Sequence, residues 1–335
     1  MHWFLRRKDC SLKLADALGL EYTVLSTAGT GLAANAVELT TACMQVARLT
    51  QELDIDLWVS KYGAASLGAK LSRSRSLSFN DDDADVVPFV AATSYPVSDA
   101  ALVTNVTRMG RYETKAVRFP GYFELCYLHP DRFVPDRSIF QQLGLDDGSK
   151  YAIIRLSGLS AHHDRGVTGA SDDLVREVCA EIKGHVRPFI TSERPLPSDL
   201  EPYRCKVPVH RMHHALAFAE FYLGDSQTMT SEAAVLGTPT FRINDFVGRL
   251  SYLDDLENYG LSFGFLPGQE EQLFETFREI IGMENRVKEF QKRRRRMLGD
   301  KIDPTPWFSR AVQLCLAGAG PRELRARLQT EEEFT

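Results

Sequence analysis

The residues best suited to chemistry run from Gly224-Asp225-Ser226-Gln227-Thr228 to Glu232 and close at Leu236-Gly237-Thr238-Pro239. The apolar run Phe221-Tyr222-Leu223 precedes them and reads as a buried strand, so Gly224-Asp225-Ser226 marks a strand-to-helix turn. A helix N-terminus exposes unpaired N–H groups and a partial positive charge, which suits a diphosphate. Ser226, Gln227 and Thr228 add short polar donors there. Glu232 stands one turn beyond Thr228 on the same face, where a carboxylate can accept from ribose hydroxyls. The simpler alternative is that Asp225 or Ser226 only caps the helix while Glu232 is solvated.

Other candidates follow other strands. Arg155 ends a strand before the loop His162-His163-Asp164. Arginine gives bidentate phosphate contact, and a histidine shuttles protons, which makes His163 and Asp164 candidate catalytic groups. The loop Asn244-Asp245-Phe246-Val247-Gly248-Arg249 carries more polar groups than a turn requires. It offers Asp245 as a catalytic candidate, with Asn244 and Arg249 for binding. Asp81-Asp82-Asp83 with Asp85 reads first as acids favouring the positive end of a helix. Asn80 is a further binding candidate, because it follows the 77–79 strand. No second His or Cys cluster stands at ligand spacing, so neither a metal nor a resident cofactor is expected.

These residues need strands and helices to hold them. Strand-length apolar runs at 22–25, 56–59, 76–79, 101–103, 116–119, 151–154, 188–191, 221–223 and 239–243 alternate with helical patterns at 33–53, 172–183, 231–236 and 270–297. Alternation of this kind predicts an α/β protein with two doubly wound parallel sheets and a ligand cleft between domains, at the carboxyl ends of strands. A linker at 129–135, with Pro130 and Pro135, divides it. The domains are then 1–134, 135–300 and a helical tail, 301–335. The start is abrupt: a short strand at 1–6 runs at once into a helix at 10–18, as if a leading βα unit were absent.

Composition sets outer limits. The chain has 335 residues and a net charge of -5, without the basic excess of nucleic-acid binders. No apolar run reaches the roughly 18 residues of a membrane span. Cys10, Cys43, Cys126, Cys179, Cys205 and Cys315 are scattered, and no signal peptide precedes them, so reduced thiols and a cytoplasmic location are expected. The run Lys292-Arg293-Arg294-Arg295-Arg296 suits a solvated helix C-terminus, with peripheral contact to an anionic membrane as the minor alternative.

The pattern Gly224-Asp225-Ser226 … Glu232-Ala233-Ala234 … Leu236-Gly237-Thr238-Pro239 resembles the C-domain signature of the GT-B superfamily. Non-hydrolysing UDP-N-acetylglucosamine 2-epimerases have two glycines where this chain has Gln227-Thr228. A closer resemblance is to a prokaryotic glycosyltransferase-like family of unknown function. It rests on Pro120-Gly121-Tyr122, Glu124-Leu125, 127–133, Arg155, His163-Asp164, Ser192-Glu193, His213, 224–233, 244–248 and 251–253.

The resemblance implies two Rossmann-like domains with Ser226, Gln227 and Thr228 on the diphosphate and Glu232 on the ribose. It puts Asp225 in the same turn, and Ser192, Glu193 and His213 around the base and ribose. It implies metal-independent transfer from a nucleotide sugar, UDP-linked, to a sugar, glycan or lipid acceptor in polysaccharide or glycolipid synthesis. An epimerase-like enzyme, using Asp81, Asp82 and Glu124, and a non-catalytic nucleotide-sugar-binding protein are the alternatives. Relatives begin with an extra strand and a histidine-containing loop, so the expectation is a first domain shortened by one βα unit.

Overall fold

The computed structural model describes residues 1–8, 10–29, 31–158 and 169–330. The chain divides into two compact units, Met1–Cys126 with Lys301–Thr335, and Tyr127–Asp300.

The first unit begins with β1 (Trp3–Arg7), α1 (Ser11–Ala17), β2 (Tyr22–Thr27) and α2 (Leu32–Glu52). It continues through β3 (Leu57–Ser60), α3 (Gly63–Ser72), β4 (Arg75–Asn80), α4 (Pro88–Ser94), β5 (Ala100–Thr104) and β6 (Ala116–Phe119). β3, β4, β5 and β6 form a four-stranded parallel sheet in that order, and β1 pairs with β2 in a separate parallel pair. Every residue of β5 is buried, as a parallel sheet covered on both faces demands.

Glu38 on α2 fastens the β1–β2 pair. Its carboxylate accepts from Arg6 Nε and Nη2 at 2.6 and 2.8 Å, from Ser26 Oγ at 2.8 Å and from Gly29 N at 3.2 Å. Burial pushes this carboxyl up, but the Arg6, Ser26 and Gly29 donors outweigh it and bring it to about 2, from 4.5. A lowered acid contributes stability above pH 4.5 and loses it as pH falls toward 2. The stability difference between the wild type and Glu38→Gln should therefore shrink by about 2 kcal/mol across that window. Urea titrations followed by tryptophan fluorescence at several pH values would show it; a constant difference would refute it.

The junction helices are α5 (Leu125–Leu128) and α6 (Ile139–Gln142). The second unit then builds β7 (Tyr151–Leu156), α7 (Asp172–Glu181), β8 (Arg187–Ser192), α8 (Met212–Phe218), β9 (Tyr222–Gly224) and α9 (Gln227–Leu236). It ends with β10 (Thr240–Ile243), α10 (Ser251–Asn258), β11 (Ser262–Phe265), α11 (Glu270–Ile281) and α12 (Arg286–Asp300). Its parallel sheet has the order β11-β10-β9-β7-β8. The chain leaves β7 toward β8 and returns on the other side as β9, so the order reverses between β7 and β9. In doubly wound sheets such a reversal opens a crevice at the strands' carboxyl ends.

Two sequence expectations change here. The 270–297 helix is two helices, α11 and α12, parted around Gly282. β11, with Gly264 inside Ser-Phe-Gly-Phe, is an added strand that short apolar content did not mark. A β-carbon on Gly264 would stand 2.5 Å from Glu257 Oε1 and 3.0 Å from Val247 Cγ1.

The last helices, α13 (Pro304–Leu316) and α14 (Pro321–Thr330), belong to the first unit. Trp307, Ala311, Leu314, Cys315, Leu324 and Leu328 share one buried cluster with Leu77, Leu102, Val117 and Phe119 of its sheet. Among the described residues no helix is long and apolar enough to cross a membrane. Among the described residues no disulfide joins any of the six cysteines.

Candidate functional site

The β9–α9 turn sits at the sheet's order reversal. Gly224 is in register with Arg155 on β7 and Arg242 on β10, and Thr191 and Gly264 extend the same row. A β-carbon on Gly224 would stand 2.6 Å from the Arg155 carbonyl oxygen and 2.8 Å from Tyr222 Oη. The glycine is therefore required by the neighbouring backbone, whatever binds above it. Ser226 caps α9, its Oγ accepting from Met229 N at 3.4 Å and its carbonyl from Thr230 N at 3.1 Å. The N–H groups of Gln227 and Thr228 have no acceptor among the described residues. They form the open positive end of a ten-residue helix whose remaining length, from Thr230 to Leu236, is buried.

Asp225 does different work from its neighbours. Its Oδ1 accepts from Ser157 N at 2.7 Å, and it is only 4% exposed. Burial raises its carboxyl, against the pull of the Ser157 and Ala170 donors. Glu193 pairs with Arg155 Nη2 and accepts from Gly158 N at 2.9 Å. The two acids thus hold the start of the chain after β7. His162, His163 and Asp164 lie beyond it, outside the described residues. Arg155 Nε and Thr191 Oγ1 are buried without a partner among the described residues, so the row beside Gly224 retains polar groups to satisfy.

Glu232 lies in the same region and is 9% exposed. Its Oε1 accepts from Tyr127 Oη at 3.1 Å and lies 3.0 Å from His213 Nε2. Tyr127 and His213 stand with their ring centroids 5.3 Å apart, and Phe133 meets His213 edge-on at 6.2 Å. Phe133 also stacks on His214, whose Nδ1 accepts from Asp136 N at 3.0 Å. Sequence reading omitted Tyr127 as a site residue. Its place within the short apolar helix α5, ahead of a proline-rich stretch, does not mark it as a binding residue, and only the fold brings it to Glu232.

Several expected binding residues are used by the fold instead. Asn244 is 1% exposed; its Nδ2 donates to the Asp225 carbonyl at 2.8 Å and its Oδ1 accepts from Phe246 N at 3.0 Å. Its amide is an internal turn brace. Ser192 Oγ donates to the Arg194 carbonyl and accepts from its N–H, closing a local turn. Asn80 is fully buried, donating to Tyr95 Oη at 3.0 Å. Asp245 is half-buried, and Arg249 is exposed and stands over the Phe246 ring.

The same holds for the charge runs. Asp81 and Asp82 both pair with Lys61, at 2.8 and 2.9 Å, and Asp83 pairs with Arg108 at 2.9 Å. In the basic run, Arg294 Nε donates to the Val235 carbonyl at the end of α9, and Arg293 Nη1 to the Gly260 carbonyl. Gly237 takes φ 83° beneath them, where a side chain would strike Gln291 and Arg294. Leu236-Gly237-Thr238 is therefore a helix C-cap covered by α12. Among the described residues no three His, Cys, Asp or Glu side chains gather as a metal-holding group.

No protein-family model matches the chain, and no curated protein matches its sequence. Solved structures do resemble it. The spinosyn forosaminyltransferase superposes with TM-score 0.57 at 12% identity, over 94% of this chain and 91% of that one. The UDP-GlcNAc 2-epimerase of Methanocaldococcus jannaschii gives 0.56 at 11% identity, over 84% and 85%. The HepE protein of Anabaena, in complex with UDP, gives 0.54 at 11% identity, over 94% and 92%. At such identities the likeness shows the fold, the two Rossmann-like domains of GT-B proteins.

Proposed function

We propose that this chain binds a UDP-linked sugar through Tyr127–Asp300 and transfers the sugar, without a metal, to a glycan or lipid acceptor. The observation that carries this is the open N-terminus of α9 at the sheet's order reversal, with Glu232 one turn behind it. The N–H groups of Gln227 and Thr228, with the Ser226 and Thr228 hydroxyls, meet the diphosphate, and Arg155 stands on the adjoining strand. Leaving-group charge is then stabilised by fixed donors. His163 and Asp164 are proposed for proton transfer, and Asp245 and Arg249 for the sugar. The setting is cytoplasmic synthesis of a surface polysaccharide or glycolipid.

Transfer is favoured over epimerisation because an epimerase needs free carboxylates facing the sugar. Of the three acids available for that in the first unit, Asp81 and Asp82 are both held by Lys61, and Glu124 is 3% exposed.

Calorimetry with UDP and UDP-sugars, with and without EDTA, tests the reading. Binding is expected in both conditions, and Thr228→Pro should weaken it about tenfold or more by removing an N–H donor at the helix start. Heat of binding from no nucleotide or nucleotide sugar would end the hypothesis. Loss of binding in EDTA would end its metal-free form.

A further inference from the structure

An ionised carboxylate has about four lone-pair sites. On Glu232, Tyr127 and His213 take two of them, both on Oε1. Oε2 carries no protein hydrogen bond among the described residues and is not among the buried unpartnered atoms, so it faces outward. The remaining capacity is two acceptor sites on one oxygen of fixed orientation. That number matches two adjacent O–H donors.

The fixing groups come from different parts of the unit. Tyr127 lies on α5, His213 on α8 and Glu232 on α9. A glutamate has three rotatable side-chain bonds, and ordering it costs side-chain entropy. Here that ordering is done before any ligand arrives, by two donors whose rings also pack on one another. The His213 tautomer follows: to donate to Oε1, Nε2 carries the proton.

We propose that Tyr127 and His213 are positioning residues that lock Glu232 for a vicinal diol, so that the site selects ribonucleotides over 2′-deoxyribonucleotides. The inference rests on the nucleotide-sugar reading above. A ribose fills both acceptor sites on Oε2, whereas a 2′-deoxyribose leaves one unfilled. Losing the lock frees the carboxylate to rotate, which weakens the diol contact and leaves a ligand lacking the diol little affected.

The experiment is calorimetry of UDP against 2′-deoxy-UDP on the full chain. The wild type is expected to prefer UDP about tenfold. Tyr127→Phe and His213→Leu should lower UDP affinity severalfold while hardly changing 2′-deoxy-UDP, so the preference collapses. His213→Gln, which keeps a donor, should retain much of it. A purely structural role would weaken both ligands together and leave their ratio unchanged. Full preference in Tyr127→Phe and His213→Leu overturns the inference, as does a wild type that binds both nucleotides equally, and in either case nucleotide binding itself stands. Binding of neither overturns the inference together with the reading beneath it.

Discussion

Trp307→Ala should destabilise the first unit by about 3–5 kcal/mol, the range for truncating a buried aromatic. Trp307 is 1% exposed and stands 5.2 Å from the Phe119 ring and 5.3 Å from Phe308. It enters from α13, nearly two hundred positions after β6. Its ring shares one buried cluster with Leu77, Leu102, Val117 and Phe119 of the β3–β6 sheet. Domains are typically stable by about 5–15 kcal/mol, so a loss of this size removes about a fifth or more of the total.

The measurement is direct, because the chain's three tryptophans, Trp3, Trp58 and Trp307, all lie in the first unit. Trp58 is 6% exposed and donates from Nε1 to Thr50 Oγ1 at 2.9 Å, so its emission reports unfolding of that unit in the variant. A urea midpoint equivalent to less than about 1 kcal/mol of change would show that α13 is an accessory to this core. Trp307→Phe, which keeps a ring in the cluster, should lose markedly less.

The second large effect concerns an ion pair between a fully buried arginine and a half-buried glutamate. Arg242 has no exposed surface, and its Nη2 reaches Glu257 Oε1 at 3.3 Å. Its Nε and Nη1 have no hydrogen-bond partner among the described residues. Glu257→Leu would leave a buried guanidinium unpaired, and should cost the second unit about 3–5 kcal/mol. The double variant Arg242→Met with Glu257→Leu should recover that loss and end between neutral and a gain of a few kcal/mol. Burial raises the Glu257 carboxyl despite the opposing pull of Arg242, so their attraction does not fully repay desolvation of the acid. Far-UV circular dichroism during urea titration would separate the two cases. A single variant as stable as the wild type, or a double variant no better than the single, would contradict this account.

Arg242 also shows where sequence reading stops. Position 242 lies within a strand-length apolar run, and its alternation gives no hint that an arginine there faces glycines on both neighbouring strands. The pairing Gly224–Arg242–Gly264 needs the register of three strands, which no local pattern contains.

The sequence by itself determined the α/β class and most strands. Buried parallel strands are continuous apolar runs, and the runs at 22–25, 116–119 and 151–154 all lie within observed strands. It also determined the start of α9, because a glycine, a short capping side chain and a helical pattern are local signals. The tertiary structure decided what those residues are free to do. Asp225, Asn244, Ser192 and Asn80 are of the right types to bind a ligand, yet their polar atoms are taken by backbone or side-chain partners. Tyr127 is no binding candidate by residue type and spacing, yet it comes to hold Glu232 from 105 positions away. The physical reason is that a polar side chain's availability depends on which donors and acceptors the fold brings within about 3 Å of it, and residue type and spacing along the chain do not contain that distance.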